Sequence, residues 1–269
     1  MNESAPQHRP GTSGNVGNRE LTYSVEAVET IAEATIRDMF ALFHGYYDHT
    51  NEAQFRSDLK NKQSVIILRD HENRLRGFST AVTTEHVFEG KPVRAFYSGD
   101  TVVDHHYWGQ QTLWAAWLRL TGSIKQTVPE VPLYWFLVVN GHRSYRCLRA
   151  FFDVFYPAHD REQPPREKKL MDLFARTRFG DAYDAERGVI SFATSHERLS
   201  STWAEVPEKD RHKPDVRFFL ERNAGYINGD MLVCLTEFAS ENLKPFARRL
   251  FHEGMAQRSR TNPHPSNSS

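Results

Sequence analysis

Three side chains of this sequence are of types that move or hold protons, and each lies near an apolar stretch. They are the carboxylate of Asp100, the phenol of Tyr145 and the amide of Asn140. A positioned carboxylate can act as a general base, and a positioned phenol can act as a general acid. Each also has a structural alternative: Asp100 as a turn or capping carboxylate, Tyr145 as a core tyrosine, and Asn140 as a helix N-cap.

Other residues that could carry chemistry are less promising. Asp104, His105 and His106 are consecutive, and neighbours on extended backbone point apart, so we expect no metal site. The two cysteines, Cys147 and Cys234, are too few for a disulfide framework or a cysteine zinc site. The sequence has no hydrolase-type serine motif and no phosphate-binding Gly-Lys-Ser/Thr motif, which disfavours a serine hydrolase and a P-loop nucleotide site.

The charge of the chain is balanced. Its 269 residues include 34 Lys+Arg and 34 Asp+Glu, so the formal net charge is zero. Binding of nucleic acid or of an anionic membrane through bulk positive charge is therefore not expected. No segment reaches the ~20 apolar residues of a membrane span, and the first residues contain no signal-peptide core. We expect a cytoplasmic protein with no nucleic-acid partner and no membrane span.

Composition divides the chain into segments. Residues 1–19 and 257–269 lack hydrophobic periodicity and are rich in Ser, Asn and Pro, which predicts disordered tails. Residues 20–156 have the pattern of a folded core. Residues 157–207 are polar and Pro-rich, and we expect an inserted lobe there. Residues 208–256 return to the core pattern, with a strand and a helix that complete it.

The apolar pattern predicts the elements that must position these side chains. Apolar runs predict strands at residues 21–28, 64–69, 75–82, 93–98, 101–103, 133–139, 189–192 and 231–236. Helical spacing predicts helices at residues 31–43, 52–60, 108–121, 142–148, 167–178 and 243–251. This order predicts a mixed α/β sheet with one parallel crossover, from 101–103 to 133–139. Ligands of such sheets bind at the carboxyl ends of strands, which indicates the loop 99–109.

Two runs of the sequence resemble the GNAT N-acyltransferase superfamily. Residues 97–113 are similar to its strand, loop and helix, in which the helix N-terminus holds the pyrophosphate of coenzyme A. Val103, Tyr107 and Gly109 match that pattern. Residues 137–152 look like the next strand and helix of the family.

The resemblance covers about residues 22–155 and implies a GNAT-like central mixed sheet with flanking helices, to which the inserted helical lobe is added. It implies an N-acyltransferase that moves an acyl group directly from a thioester, acyl-CoA or acyl-phosphopantetheine, to a small-molecule amine. Asp100 would then accept a proton from the amine, and Tyr145 would protonate the leaving thiolate. The expected donor-binding residues are Thr101, Val102, Val103, Tyr107, Trp108, Gly109, Gln110, Gln111 and Asn140.

The chain departs from the family in the phosphate loop. Trp108, Gln111 and Leu113 stand at positions of the family's Arg/Gln, Gly and Gly/Ala residues, where backbone amides approach the pyrophosphate closely. A donor without a nucleotide, such as an acyl carrier protein, would tolerate these departures. A basic stripe on the following helix could meet such a carrier or form a solvated face; it consists of Arg143, Arg146 and Arg149. The alternative function is a non-catalytic GNAT-like module that binds a small molecule or a protein.

Overall fold

The computed structural model describes residues 20–192 and 197–261. Its strands are β1 (Thr22–Ala27), β2 (Tyr47–Asp48), β3 (Ser64–Arg69), β4 (Leu75–Phe88), β5 (Lys91–Val103), β6 (Leu133–Val139), β7 (Tyr183–Asp184), β8 (Val189–Ile190), β9 (Arg198–Leu199) and β10 (Met231–Glu237). Its helices are α1 (Glu33–His44), α2 (Glu52–Lys60), α3 (Thr112–Thr127), α4 (His142–Phe151), α5 (Pro165–Phe179), α6 (Ser201–Ala204), α7 (Glu208–Arg211), α8 (Pro214–Arg222) and α9 (Pro245–Thr261).

The predicted tails are only partly within the described residues. Residues 1–19 and 262–269 lie outside them. Residues 257–261, which we expected in the C-terminal tail, form the last part of α9. None of the described helices is long and apolar enough to cross a membrane.

Eight of the strands form one mixed sheet, in the order β1-β3-β4-β5-β6-β10-β8-β7. Among its described pairs, β5 and β6 are parallel and the others are antiparallel. Helix α3 is the crossover between the two parallel strands. The separate pair β2 and β9 is antiparallel. The predicted class, a mixed α/β fold with a central mixed sheet and a parallel crossover, is confirmed.

Helices α3, α4 and α9 cover one face of the sheet over an aromatic core, which includes Phe96, Trp117, Trp135, Phe152 and Phe238. Helices α3 and α9 cross at two glycines. A Cβ atom at Gly122 would lie 2.0 Å from the carbonyl oxygen of Phe251, and one at Gly254 would lie 2.0 Å from that of Arg119. The two backbones are therefore in contact. This crossing fixes the position of α3 on the sheet and, with it, the position of the α3 N-terminus.

The opposite face is covered by α1 and α2 near β3 and β4, and by α5 near β6 and β10. Helix α5 buries a short apolar stripe against this face, made of Leu170, Met171, Phe174 and Ala175. Strand β8 is hydrogen-bonded to β10 in the main sheet. The part of this segment from α5 to β8 therefore packs against or joins the main sheet, and the boundaries of the inserted lobe stay a prediction. The composition of this part is polar because α5 buries one side only and its neighbouring strands are two residues long.

Candidate functional site

The parallel strands β5 and β6 separate part-way along their length. Their last paired residues are Tyr97 and Phe136, although β5 continues to Val103 and β6 to Val139. Unpaired backbone groups inside a sheet lose hydrogen bonds that another partner must replace. The gap lies at the carboxyl ends of both strands, where the sequence predicted a ligand. It presents the inner edges of the two strands to a molecule that enters between them.

Strand β5 carries a bulge at the point of separation. Gly99 and Asp100 together oppose the single residue Thr80 of β4. An extra residue bends the strand and redirects its side chains. A Cβ atom at Gly99 would lie 2.6 Å from both the Lys62 Nζ and the Thr80 Oγ1, so a side chain cannot be placed there without displacing them. The bulge also explains why the predicted strands at 93–98 and 101–103 are one strand.

Lys62 enters this bulge from the end of α2. Its side chain is only 4% exposed, and its Nζ lies 3.6 Å from Asp100 Oδ2 and 5.7 Å from the centre of the Tyr97 ring. The Asp100 Oδ2 atom is buried and has no hydrogen-bond partner among the described residues. A buried charge is costly unless an opposite charge or a bound group compensates it. The ion pair therefore holds the Asp100 carboxylate beside the gap.

A cavity of about 1180 Å³ is lined by residues from both faces of the sheet at this gap. On the α3 face it is bordered by residues 101–110, which we call the loop half. On the opposite face it lies between α2 and α5, where it is lined by Asp58, Asp100 and Glu197, and we call this the acidic half. A cavity of this volume can hold a ligand larger than a drug-sized molecule.

Glu197 is a carboxyl of the acidic half with a strongly raised pKa. Burial raises its pKa to about 7, and the negative charges of Asp100 and Asp58 act in the same direction, while Lys62 acts against them. A carboxyl with a pKa near the working pH can both release and accept a proton, which is what a general base requires. The sequence did not indicate this residue.

The predicted Asn140 follows the last residue of β6 and lies near the Tyr47 side chain, whose pKa it acts to lower. It does not cap α4, because Gly141 holds the N-cap position. Burial and two nearby carboxylates raise the pKa of Tyr47. Burial also raises the pKa of Tyr97 to about 12. Both phenols line the cavity and keep their protons at neutral pH.

The loop half can accept an anion. The first amides of a helix have no partner within it, and the side chain of the N-cap residue Gln111 makes no capping bond to α3. Gly109 has a φ of +91° and nothing within 4 Å of where its Cβ would lie. Neither of the bulky residues that differ from the family pattern obstructs the loop. Trp108 Nε1 donates to the Val103 carbonyl at 2.8 Å, and Leu113 packs into the core. A phosphate group such as the coenzyme A pyrophosphate therefore fits.

The structure brings Asp100 and most of the predicted donor-binding residues to the cavity wall; the latter are Thr101, Val102, Val103, Tyr107, Trp108, Gly109, Gln110 and Asn140. Gln111 is not among the lining residues. Their role in donor binding remains a prediction.

Tyr145 is not among the residues that line the cavity, and its position does not favour the predicted role as the acid. The side chain is fully buried, and its hydroxyl donates to the carbonyl oxygen of Pro157 at 2.9 Å. Its ring packs against Phe155 and Phe219 in the core. Burial raises the pKa of Tyr145. The structural alternative, a core tyrosine bonded to a backbone carbonyl, is the observed one.

Asp104, His105 and His106 form a tight turn rather than extended backbone, so the reason given against a metal site there was wrong. Their potential ligand atoms lie within 4.8 Å of one another. These atoms already have partners: Asp104 Oδ2 accepts from Arg76 at 3.1 Å, Asp104 Oδ1 lies 2.8 Å from His106 Nδ1, and His105 Nδ1 lies 3.1 Å from the Tyr46 hydroxyl. That the protein uses no metal stays a prediction.

The basic stripe on α4 is largely occupied by contacts within the chain. Arg149 donates to both carboxylate oxygens of Asp160 at 2.9 Å. Arg143 donates to the Trp203 carbonyl at 2.9 Å and lies 4.8 Å from the centre of the Trp108 ring. Two of the three arginines of the stripe are therefore engaged within the chain.

The polar cavity-wall residues that the sequence analysis did not single out include Tyr47, Asp58, Lys62, Arg178 and Glu197. They come from four separate segments, and no local motif marks any of them. Only the fold brings them together.

Comparisons with known proteins were made for the sequence and for the structure. No protein-family model matches the sequence, and no curated protein matches it. Several solved structures are similar to the fold. Its structural neighbours include GNAT N-acetyltransferases.

One neighbour is the GNAT family N-acetyltransferase YhbS from Escherichia coli in complex with CoA, with 14% identity, coverage of 57% of this chain and 81% of that chain, and a TM-score of 0.35. A probable N-acyltransferase from Enterococcus faecalis V583 has 12% identity, coverage of 82% and 66%, and a TM-score of 0.39. An acetyltransferase from Trypanosoma brucei has 15% identity, coverage of 54% and 98%, and a TM-score of 0.37. Similarities of this size assign no activity.

Proposed function

We propose that this chain transfers an acyl group from a thioester to an amine. The observation that carries the proposal is the separation of β5 and β6 at a cavity that has an anion-accepting loop on one face and carboxylates on the other. An extended thioester arm can lie along the inner edge of β5, with its phosphate end at the start of α3. The amine can approach from the acidic half, so the reacting atoms meet beside Asp100.

The transfer needs one proton removed and one supplied. The amine nitrogen forms a bond to the acyl carbon, the carbon–sulfur bond breaks, and the sulfur leaves with the electron pair. In this proposal, backbone N–H groups of residues 101–103 polarise the thioester carbonyl. Asp100 or Glu197 accepts the proton of the ammonium. The Tyr47 phenol, which keeps its proton at neutral pH, replaces Tyr145 as the candidate donor to the leaving sulfur.

The donor is tested by native mass spectrometry of the full chain with coenzyme A, acetyl-CoA, long-chain acyl-CoA and acyl carrier protein charged with the same acyl groups. Because the loop half can accept a phosphate, we expect a specific complex with an acyl-CoA. A complex with the acylated carrier protein alone would favour acyl carrier protein, which has no nucleotide, as the donor. No complex with any thioester would favour the non-catalytic module.

Turnover is tested separately, by release of free thiol from the bound donor in the presence of amines. Asp100→Asn is expected to lower the rate by about a hundredfold while the protein stays folded. Asp153→Asn, a change at a carboxylate outside the cavity, is the control and should leave the rate unchanged. Equal rates for the two variants would remove Asp100 from the mechanism.

A further inference from the structure

Arg178, close to the end of α5, places a positive charge on the wall of the acidic half. Its guanidinium lies 3.7 Å from the centre of the Tyr97 ring, so one face of the group is stacked on the phenol. The side chain is exposed, and within residues 20–192 and 197–261 it forms no ion pair with a carboxylate. A stacked guanidinium keeps the N–H groups at its edge, with which it can hold a carboxylate through two hydrogen bonds.

Lys62 is also a cation of this half, but it is poorly placed to bind an anion. Its side chain is 4% exposed, and its Nζ lies 3.6 Å from Asp100 Oδ2. A ligand anion at Lys62 would meet the negative charge of Asp100. The Asp100 Oδ2 atom itself is buried and accepts no hydrogen bond from the described residues. Because such an acceptor is costly to leave unpaired, it favours a ligand with N–H donors, such as an amine.

The acceptor atom of Asp100 and the cation of Arg178 both lie near the Tyr97 phenol. Burial raises the pKa of Tyr97, and the charges of the two residues act on it in opposite directions: Arg178 lowers it and Asp100 raises it. Tyr97 also lines the cavity. A ligand that extends along this phenol therefore meets a hydrogen-bond acceptor at one end and a cation at the other.

The remaining carboxyl groups of the wall restrict where an anion can bind. They are Asp58, Glu85 and Glu197. Glu85 is exposed, and Glu197 is partly protonated at neutral pH because burial raises its pKa to about 7. None of the three attracts an anion in either protonation state, and His86 adds no positive charge at neutral pH because burial lowers its pKa. In this half, a negative group of a ligand is therefore most favourable at Arg178, and a single charge is repelled less than a double one.

We propose that the acceptor is an amino acid, held with its amine at Asp100 and its carboxylate at Arg178. The inference rests on the proposed function, since it takes the acidic half to be the site of the acceptor. It goes beyond that function because it requires a carboxylate in addition to the amine. Polyamines and amino sugars without a carboxylate are thereby excluded.

The test is isothermal titration calorimetry of the full chain at neutral pH without any acyl donor. The probes are glycine, β-alanine, 4-aminobutyrate, 6-aminohexanoate and phenylalanine, which differ in the length and bulk of the part that joins the amine to the carboxylate. Each is compared with the amine that lacks only the carboxylate: methylamine, ethylamine, propylamine, pentylamine and 2-phenylethylamine. We expect at least one amino acid to bind at least about tenfold more tightly than its matched amine, because a hydrogen-bonded charge pair with Arg178 is added.

A variant locates the carboxylate. Arg178→Gln should abolish this preference and leave the affinity for the matched amine within about twofold of the parent, which also shows that the site is intact. Arg176→Gln is the matched control, since Arg176 lies on the same helix, is exposed and is outside the cavity wall. It should leave both affinities unchanged.

Three results would each overturn the inference. One is that no amino acid of the series binds more tightly than its matched amine. Another is a preference that persists in Arg178→Gln. The third is tighter binding of O-phosphoethanolamine than of every amino acid, because a site for a doubly charged phosphate would then be present instead.

This experiment separates the inference from the proposed function. Binding of an amino acid that depends on Arg178, without thiol release from any thioester, would support the inference and defeat the proposed function. Thiol release with simple amines but no preference for an amino acid would do the reverse.

Discussion

At the scale of single residues, the buried pair of Lys62 and Asp100 is the feature whose removal should lower the stability of the protein most. Lys62→Met leaves the Asp100 carboxylate without its counter-charge, so we expect the free energy of unfolding to fall by about 2 kcal/mol. Lys60→Met, at the exposed end of α2 and two residues before Lys62, should change it by less than about 0.5 kcal/mol. Urea denaturation measures both. Similar values for the two variants would show that the pair contributes nothing.

Phenylalanine substitutions at Tyr145 and Tyr47 compare a tyrosine of the core with a tyrosine of the cavity wall. Tyr145→Phe removes the bond to the Pro157 carbonyl, so it should cost about 1–2 kcal/mol of stability. Its turnover per folded molecule should stay within about twofold of the parent. Tyr47→Phe should instead lower turnover by more than about tenfold, because it removes the proposed donor to sulfur. Thiol-release rates on samples of known folded fraction decide this, and the opposite pattern would restore Tyr145 as the acid.

Glu197 should make the stability of the protein depend on pH. Its pKa rises from 4.5 to about 7 in the folded state, through burial and the nearby Asp100 and Asp58. The folded protein therefore binds more protons than the unfolded chain between these values, and its contribution to stability is lost as the pH rises through this window. Glu197→Gln should be more stable than the parent by about 2 kcal/mol at about pH 8, with a much smaller gain at about pH 5. Urea denaturation at both values tests this, and a gain that does not depend on pH would contradict it.

At the scale of elements, the contact between α3 and α9 fixes the start of α3 beside the cavity. A methyl group at Gly122 would overlap the Phe251 carbonyl, which is backbone and cannot turn away. Gly122→Ala should therefore destabilise the protein by about 3 kcal/mol. Gly45→Ala is the matched control: its nearest contact would be 3.4 Å away, so we expect a change of about 0.5 kcal/mol or less. Thermal or urea unfolding gives both values, and equal changes would argue against the close crossing.

The elements also show where reading the sequence succeeded. Continuous apolar runs predicted β3, β6 and β10 because buried strands need such residues on both faces. The start of α3 was predicted at residue 108 and lies at Thr112, because a tight turn at 105–107 and the positive φ of Gly109 interrupt the pattern. The bulge at Gly99 was not predicted, because it packs against Lys62, which is distant in sequence.

At the scale of the whole molecule, β7 and β8 belong to the main sheet, and α5 packs against it. Because α5 shares a core with β5, β6 and β10, it should open only when the sheet unfolds. Native-state hydrogen exchange of α5 and β6 amides should therefore report the same free energy of opening. Exchange of α5 through a separate opening of lower energy would mean that this segment behaves as the inserted lobe that its composition indicated.

The sequence by itself determined the mixed α/β class, the parallel crossover and the placement of the candidate site at the end of β5, because these follow from local apolar patterns and element order. Only the tertiary structure decided which polar groups face the cavity. Tyr145 turned out to lie in the core, whereas Lys62 and Glu197, which carry no local signal, meet Asp100 at the gap. The physical reason is that burial and charge pairing depend on residues from distant segments, and one sequence alone does not reveal which of them meet.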